Sequence, residues 1–143
     1  MIRRERRLPW VRGAAQDLPF YDGSLAAAYA TWAYFFPEIG HGDFGLEELH
    51  RAVRPDGPLL MVDNVGEDEF SAYGDDPAAV GSNPAWWASR GFEREIVHTS
   101  FRFDDLEEAR TLLGFYFGER GRTEARLAIG YDVAINQGAA RAM

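Results

Sequence analysis

The stretch LEELHRAVRPDGPLLMVDN, residues 46–64, predicts a helix, a tight turn and a buried strand in immediate succession. The helix is indicated by apolar residues three and four positions apart: Leu46, Leu49 and Val53. It ends before Pro55, which cannot continue a helix. The apolar run at 59–62 does not alternate, as is typical of a strand in a parallel sheet, and it stops at Asp63 and Asn64. Helix, turn and strand together form a crossover unit, which predicts an α/β fold.

Two candidate strands precede this unit. Leu25–Ala30 (LAAAYA) is an apolar run that suits a strand covered on both faces, although its alanines would equally suit a helix. Leu8–Gly13 (LPWVRG) also has a strand-like composition. Asp22 and Gly23 mark a tight bend between the two runs.

Four elements are predicted after the unit. An asparagine followed by proline at 83–84 predicts the start of a short helix. A strand follows over Phe92–Phe103. The pair Asp104 and Glu107 resembles a capping box at the start of an amphipathic helix. Strict alternation over Ala125–Asn136 predicts an antiparallel strand with one packed face and one partly wet face.

The composition limits the possible chemistry. The chain has 143 residues, 46% of them hydrophobic, and a formal net charge of -8, which suits a single globular domain. It has no cysteine, which excludes a disulfide scaffold, thiolate zinc sites and a cysteine nucleophile. All of its basic residues are arginine, so a lysine nucleophile, a Schiff-base lysine and a Walker lysine are excluded as well.

Charge and hydropathy also bear on partners. The first twelve residues hold five Arg against one Glu, and the acidic remainder argues against a nucleic-acid surface. The longest apolar stretch, 25–36, is too short to span a membrane, and no signal peptide is visible. We therefore expect a cytoplasmic protein that binds neither nucleic acid nor membrane.

Motifs for several reaction classes are missing from the sequence. It contains no G-x-S-x-G elbow, G-x-G-x-x-G loop or Walker motif. The histidines at 41, 50 and 98 lack the H-x-x-x-H spacing of a helical metal site. The acidic run at 67–69 does not match a calcium loop, so we interpret it as a solvated loop and expect no metal.

An aromatic cluster is the main candidate for ligand binding. Five rings occur within eight residues: Tyr29, Trp32, Tyr34, Phe35 and Phe36. The cluster follows a candidate buried strand, and open α/β sheets bind ligands outside the carboxyl ends of their strands. Asp63 and Asn64 end the next strand and would border the same crevice. Core packing is the alternative for any single ring.

Two segments resemble the class I S-adenosylmethionine (SAM)-dependent methyltransferases. GAAQDLPFYDGSL at 13–25 is similar to the family's G-D-A-x-x-L-P-F followed by D-x-S-F-D, and LHRAVRPDGPLL at 49–60 is similar to its L-x-R-V-L-K-P-G-G. The resemblance covers the chain from about Leu8 onward. It implies an α/β fold with a partial Rossmann-like methyltransferase sheet, helices on both faces and an antiparallel carboxyl-terminal strand.

The resemblance also implies a site for SAM and for a small-molecule methyl acceptor. It places the cofactor contacts at Ala14, Ala15 and Gln16 for the adenine ring and at Ala30, Thr31 and Trp32 for the methionine portion. It places substrate contacts at Trp32, Tyr34 and Phe35, and Asn64 of the crevice joins them. Such enzymes act largely by proximity, so no catalytic residue is identified. Ala14 and Ala26 stand where the family often has acids, and the loss of an acceptor lowers affinity.

The family's first two strands and its glycine-rich turn have no counterpart before Leu8, where only the basic tail 1–7 is present. We therefore expect residues 1–143 to form a single methyltransferase-like domain without the amino-terminal glycine-loop portion. Alone it would hold SAM weakly and have weak activity or none. An unpaired sheet edge predicts a homodimer. Two alternatives stay open: a non-catalytic small-molecule-binding or dimerisation module with this fold, and a longer active methyltransferase of which these residues are a part.

Overall fold

The computed structural model describes residues 10–32, 42–75 and 83–142. Within these ranges the chain forms four strands and three α-helices. In chain order they are β1 (Ala28–Thr31), α1 (Gly42–Ala52), β2 (Pro58–Asn64), α2 (Pro84–Ala88), β3 (Glu93–Arg102), α3 (Leu106–Thr123) and β4 (Ala128–Ala139). A short 3-10 helix, Ser71–Tyr73, lies between β2 and α2.

The strands form one mixed sheet in the order β1-β2-β4-β3. β1 and β2 are parallel and are connected through α1, with Ala30 opposite Met61. β4 lies between β2 and β3 and is antiparallel to both, so Asn136 lies opposite Met61 on one side and Arg94 on the other. The predicted crossover unit and the predicted antiparallel carboxyl-terminal strand are both confirmed.

The turn between α1 and β2 depends on Gly57. A Cβ at this position would lie 2.6 Å from Cγ1 of Val53 and 2.8 Å from the carbonyl oxygen of Ala26. The preceding Asp56 adopts a φ of 63°. The backbone N–H of Asp56 donates to the Ala140 carbonyl, and the Ala140 N–H donates to the Gly57 carbonyl, both at 2.9 Å. The turn therefore also fixes the segment that follows β4.

Helices α1 and α2 cover one face of the sheet. The side chains buried there are Leu46, Leu49, Val53, Leu59, Met61, Trp87, Phe92 and Ala140. The side chain of Asn83 caps α2 by accepting a hydrogen bond from the Trp86 N–H at 3.1 Å, as the sequence predicts. Trp87 meets Phe92 edge to face at 4.8 Å and closes this core.

Helix α3 covers one end of the opposite face. Leu113 of α3 and Tyr73 pack against Ile129 of β4. Gly118 interrupts α3 with a φ of 60°, a conformation that favours glycine. The chain then folds back so closely that a Cβ on Gly121 would overlap the Leu113 carbonyl. Helices therefore lie on both faces of the sheet, as predicted.

The start of α3 differs from the prediction by one residue. Its N-cap is Asp105 rather than Asp104, because the Asp105 carboxylate accepts the N–H groups of Glu107 and Glu108 at 2.8 Å. The Glu108 carboxylate in turn accepts the Asp104 N–H at 2.9 Å. The bonding resembles a capping box, but the acid is Glu108 instead of Glu107 and it accepts the N–H of the residue before the N-cap rather than that of the N-cap itself.

The packing of β4 is also different from the prediction. The alternation was expected to leave one face partly wet, but Ile129 is buried on the α3 side while Ala134 and Asn136 are buried on the α1 side. The physical reason is position: β4 is central and has a helix on each face. The Asn136 amide is fully buried there without a hydrogen-bond partner in the described part of the chain.

β1 is a strand, but it is shorter and less covered than expected. Ala28 and Ala30 pack against the core under α1, whereas Tyr29 on the other face is 77% exposed. The expectation of a strand covered on both faces is therefore wrong. Of the candidate strand Leu8–Gly13, the described residues 10–13 have no strand structure.

Candidate functional site

The carboxyl ends of β1 and β2 lie side by side. Trp32 directly follows β1, and its backbone N–H donates to the Val62 carbonyl at 3.0 Å, which extends the parallel ladder by one residue. Trp32 then leaves the strand direction with a φ of 48°, which is uncommon for a bulky residue. Asn64 is the last residue of β2. The structure thus brings together two predicted substrate residues, Trp32 and Asn64.

A side-chain hydrogen-bond network joins these strand ends to β4. The indole N–H of Trp32 donates to Oδ1 of Asn64 at 2.7 Å, and the hydroxyl of Tyr131 donates to the same oxygen at 2.6 Å. An indole nitrogen can only donate, so the amide oxygen of Asn64 must face it. Both lone pairs of that oxygen are then used, and the NH2 group of Asn64 is left as the donor end of the amide.

An aromatic pocket of about 460 Å³ lies next to this network. Its wall consists of Trp32, Asn64, Phe70, Phe101, Leu112, Tyr116 and Tyr131. The rings of Phe70, Phe101 and Tyr131 contact one another with centroids 4.9 to 5.4 Å apart. An apolar concave surface with few polar groups is typical of a small-molecule site.

Two carboxylates hold the loop that carries Phe70 against β4. Asp68 accepts the backbone N–H of Asp132 at 2.8 Å and that of Ser71 at 2.7 Å. Glu69 accepts the backbone N–H of Gly130 at 2.6 Å, and this bond is the main cause that lowers the pKa of Glu69. Glu67 and Glu69 are exposed, as expected of a solvated loop, but Asp68 and Glu69 also position the Phe70 ring in the pocket.

The polar groups of the site are partly desolvated. Burial raises the pKa of Tyr131, and the carboxylates of Asp68 and Asp63 raise it further, so its phenol is protonated at neutral pH. Burial also raises the pKa of Asp63, against the opposing effects of the Asn64 N–H and the charge of Arg94. Tyr131 can therefore act as a hydrogen-bond donor but does not act as a phenolate.

The other predicted cofactor residues lie in two places. Ala14, Ala15 and Gln16 belong to a tight turn closed by the Asp17 N–H, which donates to the Ala14 carbonyl at 3.1 Å. The chain after this turn is anchored to α1, because the Leu18 N–H donates to Glu48.

The end of β1 supplies the second group. Ala30 is half-buried against the α1 core, whereas Thr31 is exposed on the opposite face of the strand. The substrate candidates Tyr34 and Phe35 lie outside the described residues, as does His41.

Five pocket residues were not predicted from the sequence: Phe70, Phe101, Leu112, Tyr116 and Tyr131. Phe101 and Tyr131 lie within the predicted strands Phe92–Phe103 and Ala125–Asn136, but the sequence did not link either residue to the ends of the other strands. The pairing of Phe101 with Ile129 and of Thr99 with Tyr131 creates that link. The register between β3 and β4 brings Phe101 and Tyr131 together, and no local sequence pattern specifies it.

The described residues hold neither a metal-binding cluster nor a membrane-spanning helix. Across residues 10–32, 42–75 and 83–142, no three His, Cys, Asp or Glu side chains are arranged to hold a metal ion. The helices in the same ranges include none whose length and hydropathy would allow it to cross a membrane.

Sequence comparison gives one curated relative. No family model matches the chain. The mouse mitochondrial protein 2-methoxy-6-polyprenyl-1,4-benzoquinol methylase is 38% identical to it over 56 residues. That match covers 39% of this chain and only 16% of the mouse protein.

Structure comparison extends over nearly the whole chain. BH2331 of Bacillus halodurans, described as a methyltransferase, has a TM-score of 0.54 at 16% identity, and YcgJ of Bacillus subtilis has a TM-score of 0.54 at 14% identity. Each alignment covers 92% of this chain, against 71% and 70% of the two structures. Similarity at this level of identity shows the fold. The chain thus has the Rossmann-like fold of class I SAM-dependent methyltransferases, which confirms the resemblance.

Proposed function

We propose that residues 1–143 are the carboxyl-terminal portion of a SAM-dependent methyltransferase domain, and that the methyl acceptor is a small molecule bound in the aromatic pocket. The observation that carries this proposal is the network of Trp32, Asn64 and Tyr131 at the carboxyl edge of β1 and β2. In sheets of this kind, ligands bind outside that edge. The relation to a curated methylase supports the same reaction class.

The chain's own residues fit part of a SAM site. Ala14, Ala15 and Gln16 would lie along the adenine ring, and Ala30, Thr31 and Trp32 along the methionine portion. Bound SAM would supply an electrophilic methyl group. Ala14 has no side-chain acceptor for the adenine amino group, and no described residue supplies a glycine-rich loop, so we expect SAM to bind weakly to this chain alone.

The pocket residues would place the acceptor and exclude water. The rings of Phe70, Phe101 and Tyr131 offer apolar faces to a planar molecule. The NH2 group of Asn64 would donate to an oxygen of that molecule, because its own oxygen is held by Trp32 and Tyr131. Holding an acceptor beside a methyl donor lowers the entropic barrier to transfer, so an acid-base residue is not required.

A homodimer is the proposed assembly. In the described part of the chain, β1 pairs with β2 on one side and has no strand on its other side. Such an edge exposes backbone donors and acceptors to another chain. Sedimentation at micromolar concentration should give a dimer, and a Tyr29→Pro substitution, which removes one backbone donor from β1, should shift the sample towards monomer. A wild-type monomer would refute this assembly.

Calorimetric titration of SAM tests the main proposal. We expect weak but measurable binding, with a Kd in the tens of micromolar or above, and we expect Trp32→Leu to raise this Kd about tenfold. Trp10→Leu is the matched control, because Trp10 is 94% exposed and lies outside the pocket wall. Equal Kd values for the two variants would contradict the assignment of Trp32.

A second candidate function is a non-catalytic small-molecule-binding module, which the SAM titration tests when it is combined with titration of a phenol. It is favoured by one observation: the described residues line an aromatic pocket, whereas none of them supplies the glycine-rich loop of a SAM site. Binding of 4-methylphenol by a folded chain that does not bind SAM would support the module and overturn the methyltransferase proposal. Formation of S-adenosylhomocysteine from SAM and a phenol would exclude the module.

A further inference from the structure

A second cavity adjoins the aromatic pocket on the outer side of α3. It has a volume of about 640 Å³ and is lined by Asp105, Glu107, Glu108, Thr111, Leu112, Phe115 and Tyr116. We call it the α3 groove. Leu112 and Tyr116 line both the α3 groove and the aromatic pocket, so the two cavities share a border. A ligand can therefore extend from one into the other across these two side chains.

The α3 groove is apolar although it faces solvent. Phe115 is 80% exposed and Tyr116 is 60% exposed, and Leu106 of the same helix is 42% exposed. Leu112, Phe115 and Tyr116 have the i, i+3, i+4 spacing of one helix face. The buried Leu113 shows that α3 packs on the sheet through a different face. The helix thus has a second apolar face, on which Phe115 is left largely uncovered by the described residues.

We infer that the α3 groove holds the apolar tail of a ligand whose ring lies in the aromatic pocket. The ring position rests on the proposed function; the tail position rests on the shared border and the second apolar face of α3. The ligand class is then an amphiphile with an oxygen-bearing ring and a hydrocarbon tail. The groove's rim is acidic, with Asp105, Glu107 and Glu108, so the tail carries no anionic group.

A series of 4-alkylphenols from 4-methylphenol to 4-nonylphenol tests this inference. Each added methylene should lower the Kd about two- to fourfold until the groove is filled, since a fully buried methylene contributes the upper value. Phe115→Ser should weaken this dependence on tail length and leave the Kd of 4-methylphenol unchanged. Tyr21→Ser is the matched control, because Tyr21 is 89% exposed and lies outside both cavities.

Three results would overturn the inference. The first is a Kd that does not change with tail length in the wild-type chain. The second is an equal effect of Tyr21→Ser and Phe115→Ser on the series. The third is sedimentation in which Phe115→Ser converts a dimer to a monomer, because the groove would then be an interface between copies.

The proposed function and the tail site can be refuted independently of each other. SAM is titrated into the same samples by calorimetry. Tail-length dependence without SAM binding would refute the methyltransferase proposal and support the α3 groove. SAM binding without tail-length dependence would support the methyltransferase proposal and refute the α3 groove as a tail site.

Discussion

Replacing Asn64 by leucine removes one oxygen that two donors share, and this change tests the polar network of the site. The Tyr131 hydroxyl lies 2.6 Å and the Trp32 indole nitrogen 2.7 Å from that oxygen. A buried donor left without a partner costs about 1–3 kcal/mol. Tyr131 is only half-buried and Trp32 is 49% exposed, so water replaces part of the loss. We expect Asn64→Leu to lower the free energy of unfolding by about 2 kcal/mol.

A double-mutant cycle separates this network from simple packing. Tyr131→Phe alone removes one hydrogen bond and should cost about 1 kcal/mol. The Asn64→Leu, Tyr131→Phe double variant no longer has the unpaired hydroxyl. Its loss of unfolding free energy should therefore be smaller than the sum of the two single losses by about 1 kcal/mol. Urea unfolding followed by tryptophan fluorescence measures each value. Gln137→Leu, at an exposed amide of β4, is the control and should change stability by less than about 0.5 kcal/mol.

Additivity would refute the reasoning. If the double variant loses the sum of the two single losses to within about 0.5 kcal/mol, Tyr131 and Asn64 are not coupled. The hydrogen bond between them would then contribute nothing measurable to the site.

Three further predictions concern the core, the acid stability and the Phe70 loop. Leucine has the same branched shape as asparagine, and the buried amide of Asn136 has no partner among the described residues, so Asn136→Leu should raise the free energy of unfolding by about 1 kcal/mol. Urea unfolding measures this value, and a loss of stability would contradict the prediction. Hydrogen bonding to Arg51 lowers the pKa of Glu48 to about 2, so the carboxylate's contribution to folding stability is complete above its ordinary pKa and is lost as pH falls from about 4.5 towards 2. The difference in unfolding free energy between wild type and Glu48→Gln should therefore shrink over that range. A difference that stays constant with pH would disprove the linkage. Asp68→Ala should speed exchange of the Asp132 amide hydrogen about tenfold and weaken binding of 4-methylphenol, whereas unchanged exchange would show that Asp68 does not hold the loop.

The fold was predictable where its signals are local. The crossover unit of residues 46–64 follows from helical spacing, one proline and one apolar run, and all of these act within a few residues. The cap of α2 at Asn83 is local in the same sense. The one-residue error at Asp104 arose because two adjacent aspartates offer the same cap, and only the backbone geometry distinguishes them.

The site was predictable only in part, because most of it is assembled by long-range pairing. Trp32 and Asn64 could be placed together, since parallel strands end at the same edge of a sheet. Phe101 and Tyr131 come together through the register of β3 and β4, which no local pattern specifies. The role of Asp68 depends on a bond to the backbone of β4, 64 residues away, so its acidity alone suggested a solvated loop.

The position of β4 has a consequence for biosynthesis. It follows all the other described elements in sequence, yet it lies between β2 and β3 in the sheet. A chain emerging from the ribosome therefore carries two strands that have no common neighbour until residues 128–139 have been made. During that interval the edges of β2 and β3 that later pair with β4 carry unpaired backbone donors and acceptors, which chaperones or neighbouring nascent chains can contact. The edges of β2 and β3 must therefore stay unpaired, or be shielded by other proteins, until β4 has been made.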